Sequence, residues 1–214
     1  MRMDDSWYMD WVQDGGNAQE QALLYRMCDL GPLFEDMLFE RGTTSYDLIK
    51  CQSATLGTED WVDDEVSRPP ELEYFTYFWF HPRVEELEDG LYGYFSGSEQ
   101  EICISSKCLN DEHTLLHEMI HLHEFVINEQ PMYFHDMLYW ALYRDVRKRI
   151  SKLDEIIDGH AHMLMGSTLF ADGGLHDILF LLKSFDLDMK KGCPLGTVFG
   201  YGRDNEFKSY RYKA

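Results

Sequence analysis

The chain has 214 residues, of which 44% are hydrophobic and 14% aromatic, enough to bury a core and to exclude a disordered polymer. Its formal charge of −20 sets up a negative field that repels phosphate backbones and anionic membranes, so nucleic acid is not an expected partner. No run of about 18 apolar residues is present. The opening segment MRMDDSWYMDW carries acids where a secretory peptide needs a basic and then an apolar stretch, so a cytoplasmic protein with no membrane association is expected.

The five cysteines, Cys28, Cys51, Cys103, Cys108 and Cys193, are odd in number and form no C-x-x-C pair. That excludes a disulfide framework and a zinc ribbon as readings. A metal ion would have to be held by histidines and carboxylates.

In chain order, residues 1–70 read as helical and acidic. Ala18 to Asp29 has an apolar face, Gly31-Pro32 punctuates, and Leu33 to Glu40 resumes helical spacing. Arg68-Pro69-Pro70 reads as a connector. Tyr74 to Phe80 is an aromatic strand candidate that His81-Pro82 should stop. Leu91 to Phe95 and Glu101 to Ser105, joined by Ser96-Gly97-Ser98-Glu99-Gln100, suit an antiparallel hairpin.

Asn110 or Asp111 can cap a helix running to about Asn128, and Pro131 opens another that ends near Lys152 in a basic cluster. A further helix is expected over Asp154 to Met165. Gly173-Gly174 and an apolar stretch from Ile178 to Phe185 follow, and Gly192 to Ala214 reads as turns with one or two short strands.

The helix from Asp111 carries His117-Glu118-Met119-Ile120-His121. Positions four apart share a helix face, so His117 and His121 can offer two imidazoles to one Zn2+ ion while Glu118 projects beside them. A hydrolytic zinc takes three protein ligands and a water, and the carboxylate is the general base that accepts the water's proton. Chance alone yields such a motif roughly 0.03 times in a chain of this composition. Both histidines would then be ordinary core or surface residues.

The third ligand has several candidates. A metzincin continuation needs Gly at 124 and His at 127, where this chain has Glu124 and Ile127. Glu124 shares the face of His117 but stands too far along the axis to join the histidines, which leaves it a supporting or surface role. His135 is the expected third metal ligand, because the break over 128–131 lets the next helix fold back and bring its first turn to the metal. An exposed His135, or Asp136 as an oxygen ligand, is the alternative. Tyr133, Tyr139, His160 and His162 are candidate donors to an oxyanion.

With the Glu101 to Ser105 strand before it and His135 after it, this motif resembles the SprT-like family of zinc metallopeptidases over roughly residues 72–150. The resemblance implies a minimal zincin core, zinc on His117, His121 and His135, Glu118 as the base, and hydrolysis of peptide bonds in a protein or peptide substrate. The chain departs from the family where Phe134 and Asp136 replace the glycines flanking its third histidine, and it lacks the zinc-ribbon cysteines of many members. Its acidity does not suit the DNA-linked substrates that some members cleave. The order of elements also resembles the ImmA/IrrE peptidases, and a gluzincin using Glu155 or Asp158 is a further scheme, as is a zincin-fold binding protein without catalysis.

The fold class expected is α+β and zincin-like, a small antiparallel sheet packed against the motif helix and further helices. Residues 1–70 would form a helical extension, 71–165 the core, and 166–214 a segment packed on it.

Overall fold

The computed structural model describes residues 17–34, 81–99, 101–128, 132–160, 176–200, 204–207 and 209–213. Its elements are α1 (Ala18–Leu30), a 3-10 turn (Gly31–Phe34), β1 (His81–Glu85), β2 (Gly93–Ser96), β3 (Glu101–Ser105), α2 (Glu112–Asn128), α3 (Met132–Arg149), α4 (Leu153–His160), α5 (Ile178–Lys191) and the short α6 (Asp204–Phe207). The chain is therefore α+β. The Tyr74 to Phe80 strand candidate and the 161–165 end of the expected fourth helix lie outside the described residues.

The sheet has the order β1-β3-β2 and is mixed, not antiparallel as expected: β2 pairs antiparallel with β3, while β1 runs parallel to it. The hairpin is the one expected from 96–100. The difference lies in β1, because His81-Pro82 opens a strand instead of ending one. Proline cannot donate to a ladder, but among the described residues β1 lies at the edge of the sheet, where a missing N–H is tolerated. The connection over 86–92 is long enough to carry the chain past the place that β3 then fills. Enclosed between neighbours, β3 buries all five of its residues, and Ile102, Cys103 and Ile104 are fully buried.

Helix α2 starts at Asp111, whose carboxylate accepts the N–H of His113 at 3.0 Å and the Thr114 hydroxyl at 2.7 Å. Its Leu115, Leu116, Met119, Ile120, Leu122 and Ile127 enter the core. Helix α5 is the more deeply enclosed, with Leu179 to Phe185 and Leu187 to Met189 all buried. Asp177 caps its start by accepting the N–H of Phe180 at 2.9 Å, and Gly192, at φ 72°, ends it in the left-handed conformation that glycine adopts without strain.

Leu23, Met27, Leu30 and Phe34 from the N-terminal segment share this same core. Buried Lys183 of α5 reinforces the join, donating to the Leu33 carbonyl at 3.1 Å and lying 4.8 Å over the Phe34 ring. Among the described residues beyond Gly192 there are turns and α6 but no strand, contrary to expectation. Side-chain and turn bonds hold part of that backbone instead, with Gly196 and Val198 N–H on Asp188 and Thr197 N–H on the Pro194 carbonyl. No helix among the described residues is long and apolar enough to cross a membrane.

Candidate metal centre

Helical spacing puts His117 and His121 on the face of α2 that meets α5, their ring centroids 5.1 Å apart. Phe180, in the first turn of α5, packs against both rings, with centroid distances of 4.8 and 4.7 Å. Directly before the Asp177 cap stands His176, whose ring stacks on His121 at 5.3 Å and 19° and meets His117 edge-on at 4.8 Å. Ligand atoms of His117, His121 and His176 all fall within 4.8 Å of one another.

The third imidazole of this cluster thus comes from α5 and not from α3. His135 does lie in the first turn of α3, as the spacing predicts, half-buried and with Nδ1 unpartnered among the described residues, but it is not part of the converging group. The reason is the side of α2 that the motif uses: both histidines face the aromatic wall of α5, so α5 supplies the next donor.

The donor set fits a small cation. His176 Nε2 and His117 Nε2 are 3.1 Å apart, near the separation of about 3.3 Å between two nitrogens on a tetrahedral zinc. His117 Nδ1 stands 3.1 Å from the Val198 carbonyl oxygen, which can only accept, so the hydrogen belongs on Nδ1 and the lone pair on Nε2. Burial lowers the pKa of His117 against the opposing effect of the Val198 and Phe199 backbone. It lowers that of His121 further, helped by His117 and His176. Neutral imidazole is the ligating form.

Glu124 is buried one turn beyond His121, with Oε2 3.7 Å from its Nδ1. Burial, and after it the nearby Asp177 carboxylate with which it shares a hydrogen bond, pushes the Glu124 carboxyl well above the usual range. Of the supporting and surface roles left open for Glu124, this contact with His121 favours the supporting one. Asp177 therefore touches both the start of α5 and the surroundings of His121.

Glu118 is buried at 3% exposure, and desolvation pushes its carboxyl up to about 8. It lies against β2, where Gly93 permits close approach: a Cβ there would stand 3.0 Å from Glu118 Cγ and 3.0 Å from the Cys103 carbonyl oxygen. His117 and Glu118 open onto a cavity of about 160 Å³, whose other walls include Tyr92, Asp111, His113, Thr114 and Thr197.

The remaining sequence candidates fall elsewhere. Asp136, Glu155 and Asp158 are exposed and lie outside the histidine cluster. Tyr139 meets Trp140 edge-on and stacks on Tyr143, and His160 Nδ1 lies 2.7 Å from the Ile156 carbonyl. The side chain of Tyr133, and His162, lie outside the described residues. His113, Thr114, Tyr92 and Thr197 are the cavity's polar groups instead. The signal for His176 is Gly173-Gly174-Leu175-His176-Asp177 before an apolar run, a helix start with histidine at its threshold.

Comparison of the chain with protein-family models, with curated proteins and with solved structures found no match.

Proposed function

We propose that this chain is a zinc-dependent metallopeptidase of zincin type, similar to the SprT-like enzymes, that hydrolyses peptide bonds in a cytoplasmic protein or peptide. The observation that carries the reading is the convergence of three imidazoles, of which buried His117 also lines, with buried Glu118, the wall of a cleft. His117, His121 and His176 would hold the ion. Leu175 and Asp177 flank His176, so it departs from the family's flanking glycines as His135 does, and it lies much further along the sequence.

Bound zinc would polarise a peptide carbonyl and make water acidic enough to attack it near neutral pH. The rest falls to the chain's own groups. Glu118, whose carboxylate form the charge of a bound cation would favour, accepts a proton from the attacking water and returns it to the departing amine nitrogen. The Val198 carbonyl holds His117 with Nε2 turned inward. Phe180 and Phe199 close the inner side of the histidines to water. Among the described residues β2 lies at an edge of the sheet, and its Gly93 lines the cavity, so an extended peptide can lie along it by backbone pairing.

The test has two parts. After metal-free purification and re-addition, elemental analysis should find one equivalent of zinc per chain. An unfolded protein substrate should then be cleaved by the native chain and far more slowly by Glu118→Gln. No retained zinc, or equal rates for the two chains, sinks the proposal.

A further inference from the structure

We infer that Asp188 is a positioning residue for this centre: through the loop 193–200 it sets the Val198 carbonyl against His117 and so fixes that imidazole's tautomer and orientation. Asp188 is fully buried near the end of α5, far along the helix from His176. Its two carboxylate oxygens are used separately. Oδ2 accepts the N–H of Gly196 at 2.7 Å and Oδ1 that of Val198 at 2.9 Å, while its main-chain carbonyl accepts the N–H of Cys193 at 2.8 Å.

The loop is thus wound around one carboxyl group, whose two oxygens each accept a backbone N–H. Gly196 and Gly200, at φ 88° and 77°, make the left-handed turns this path requires. Val198 faces two ways: its N–H is fixed on Asp188 and its carbonyl meets His117 Nδ1 at 3.1 Å. Gly200 passes so near that a Cβ would stand 3.5 Å from that same Nδ1. One helix therefore acts on the site at both ends, giving His176 at its start and, through Asp188, the acceptor for His117 near its finish.

An Asp188 that only staples the loop would leave His117 indifferent to it, and the two roles separate by spectroscopy. The importance of the contact rests on the zinc reading, but its first test does not. In the metal-free native chain, long-range ¹⁵N–¹H correlations of labelled histidine should show His117 protonated on Nδ1. Asp188→Asn keeps one acceptor oxygen and turns an NH2 group toward a backbone donor; it should move His117 toward a mixture of tautomers and weaken Zn2+ binding about tenfold. Asp188→Ala should do more. A native His117 protonated on Nε2 overturns the inference, as does an Asp188→Asn chain with unaltered tautomer and Zn2+ affinity.

If neither variant folds, the native chain still decides: the Gly196 and Val198 amide hydrogens must exchange slowly, and rapid exchange of either refutes the staple itself. A native chain with the Nδ1–H tautomer but no affinity for Zn2+ would sink the peptidase reading and leave the positioning role intact.

Discussion

Helices α2 and α5 contribute to one site in opposite ways. α2 carries two imidazoles and a carboxylate at mid-helix, where the 3.6-residue repeat alone aligns them. α5 contributes a histidine outside its first turn, placed by a capping aspartate and by docking against α2. A group in mid-helix inherits its position from local geometry. A group at a threshold inherits it from the whole fold, and must be anchored by contacts such as those of Asp177 and Phe180.

The comparison breaks first at the chemistry. Glu118→Gln should lower kcat/KM for peptide cleavage by about 10³-fold while zinc affinity stays within a few-fold, since the base is lost and the donors are not. Next comes the origin of the third donor. His176→Ala should weaken zinc binding by at least about 100-fold and His135→Ala by less than about twofold, as read by competition with a chelator. The reverse ranking would hand the site to α3.

A third test concerns pH. Burial pushes the Asp188 carboxyl up to about 7, so the folded chain holds a proton that the unfolded chain has released. The sign follows: between pH 4 and about 7 the unfolded state binds fewer protons, and stability from this group falls as pH rises, by at most about 1.4 kcal/mol per unit. Urea midpoints of the metal-free chain should therefore decline more steeply for the native protein than for Asp188→Asn. Equal slopes would mean that Asp188 is ionised in the fold.

Packing around α2 gives the next effect. Gly93→Ala should cost about 1–3 kcal/mol in urea unfolding, because the new methyl meets Glu118 and the β3 backbone. Gly159→Ala, in open space on α4, should instead stabilise by about 0.5–1 kcal/mol. The smallest effect sharpens the contrast most. Asp111→Ala and Asp177→Ala each remove a helix cap and should each cost about 1 kcal/mol. Only Asp177→Ala should also weaken zinc binding, because only that cap holds a donor in place.

What the chain discloses before folding follows the same division. A cap at 110 or 111, the 117–121 motif and the 96–100 hairpin are short-range patterns, and each was legible, with Asp111 proving to be the cap. Glu124 was legible as to its face and its distance from the metal position, and it sits where that geometry put it. His176 was not, since it lies in no periodic pattern with His121 and stands 55 residues beyond it, so only the docking of α5 on α2 brings the two together. The parallel pairing of β1 with β3 was hidden for a similar reason: Pro82 reads as a terminator until the strand is known to lie at an edge.

The distances along the chain between the groups that meet at His117 also set an order of assembly. His121 is four residues away, whereas His117's contacts with His176 and Val198 span 59 and 81 residues. During synthesis, a chain grown only through α4 has its sheet and its motif helix but two of three donors and no acceptor for His117 Nδ1. The centre is complete only when the last quarter of the chain has closed over the first part, so a nascent or broken copy carries the motif without the site.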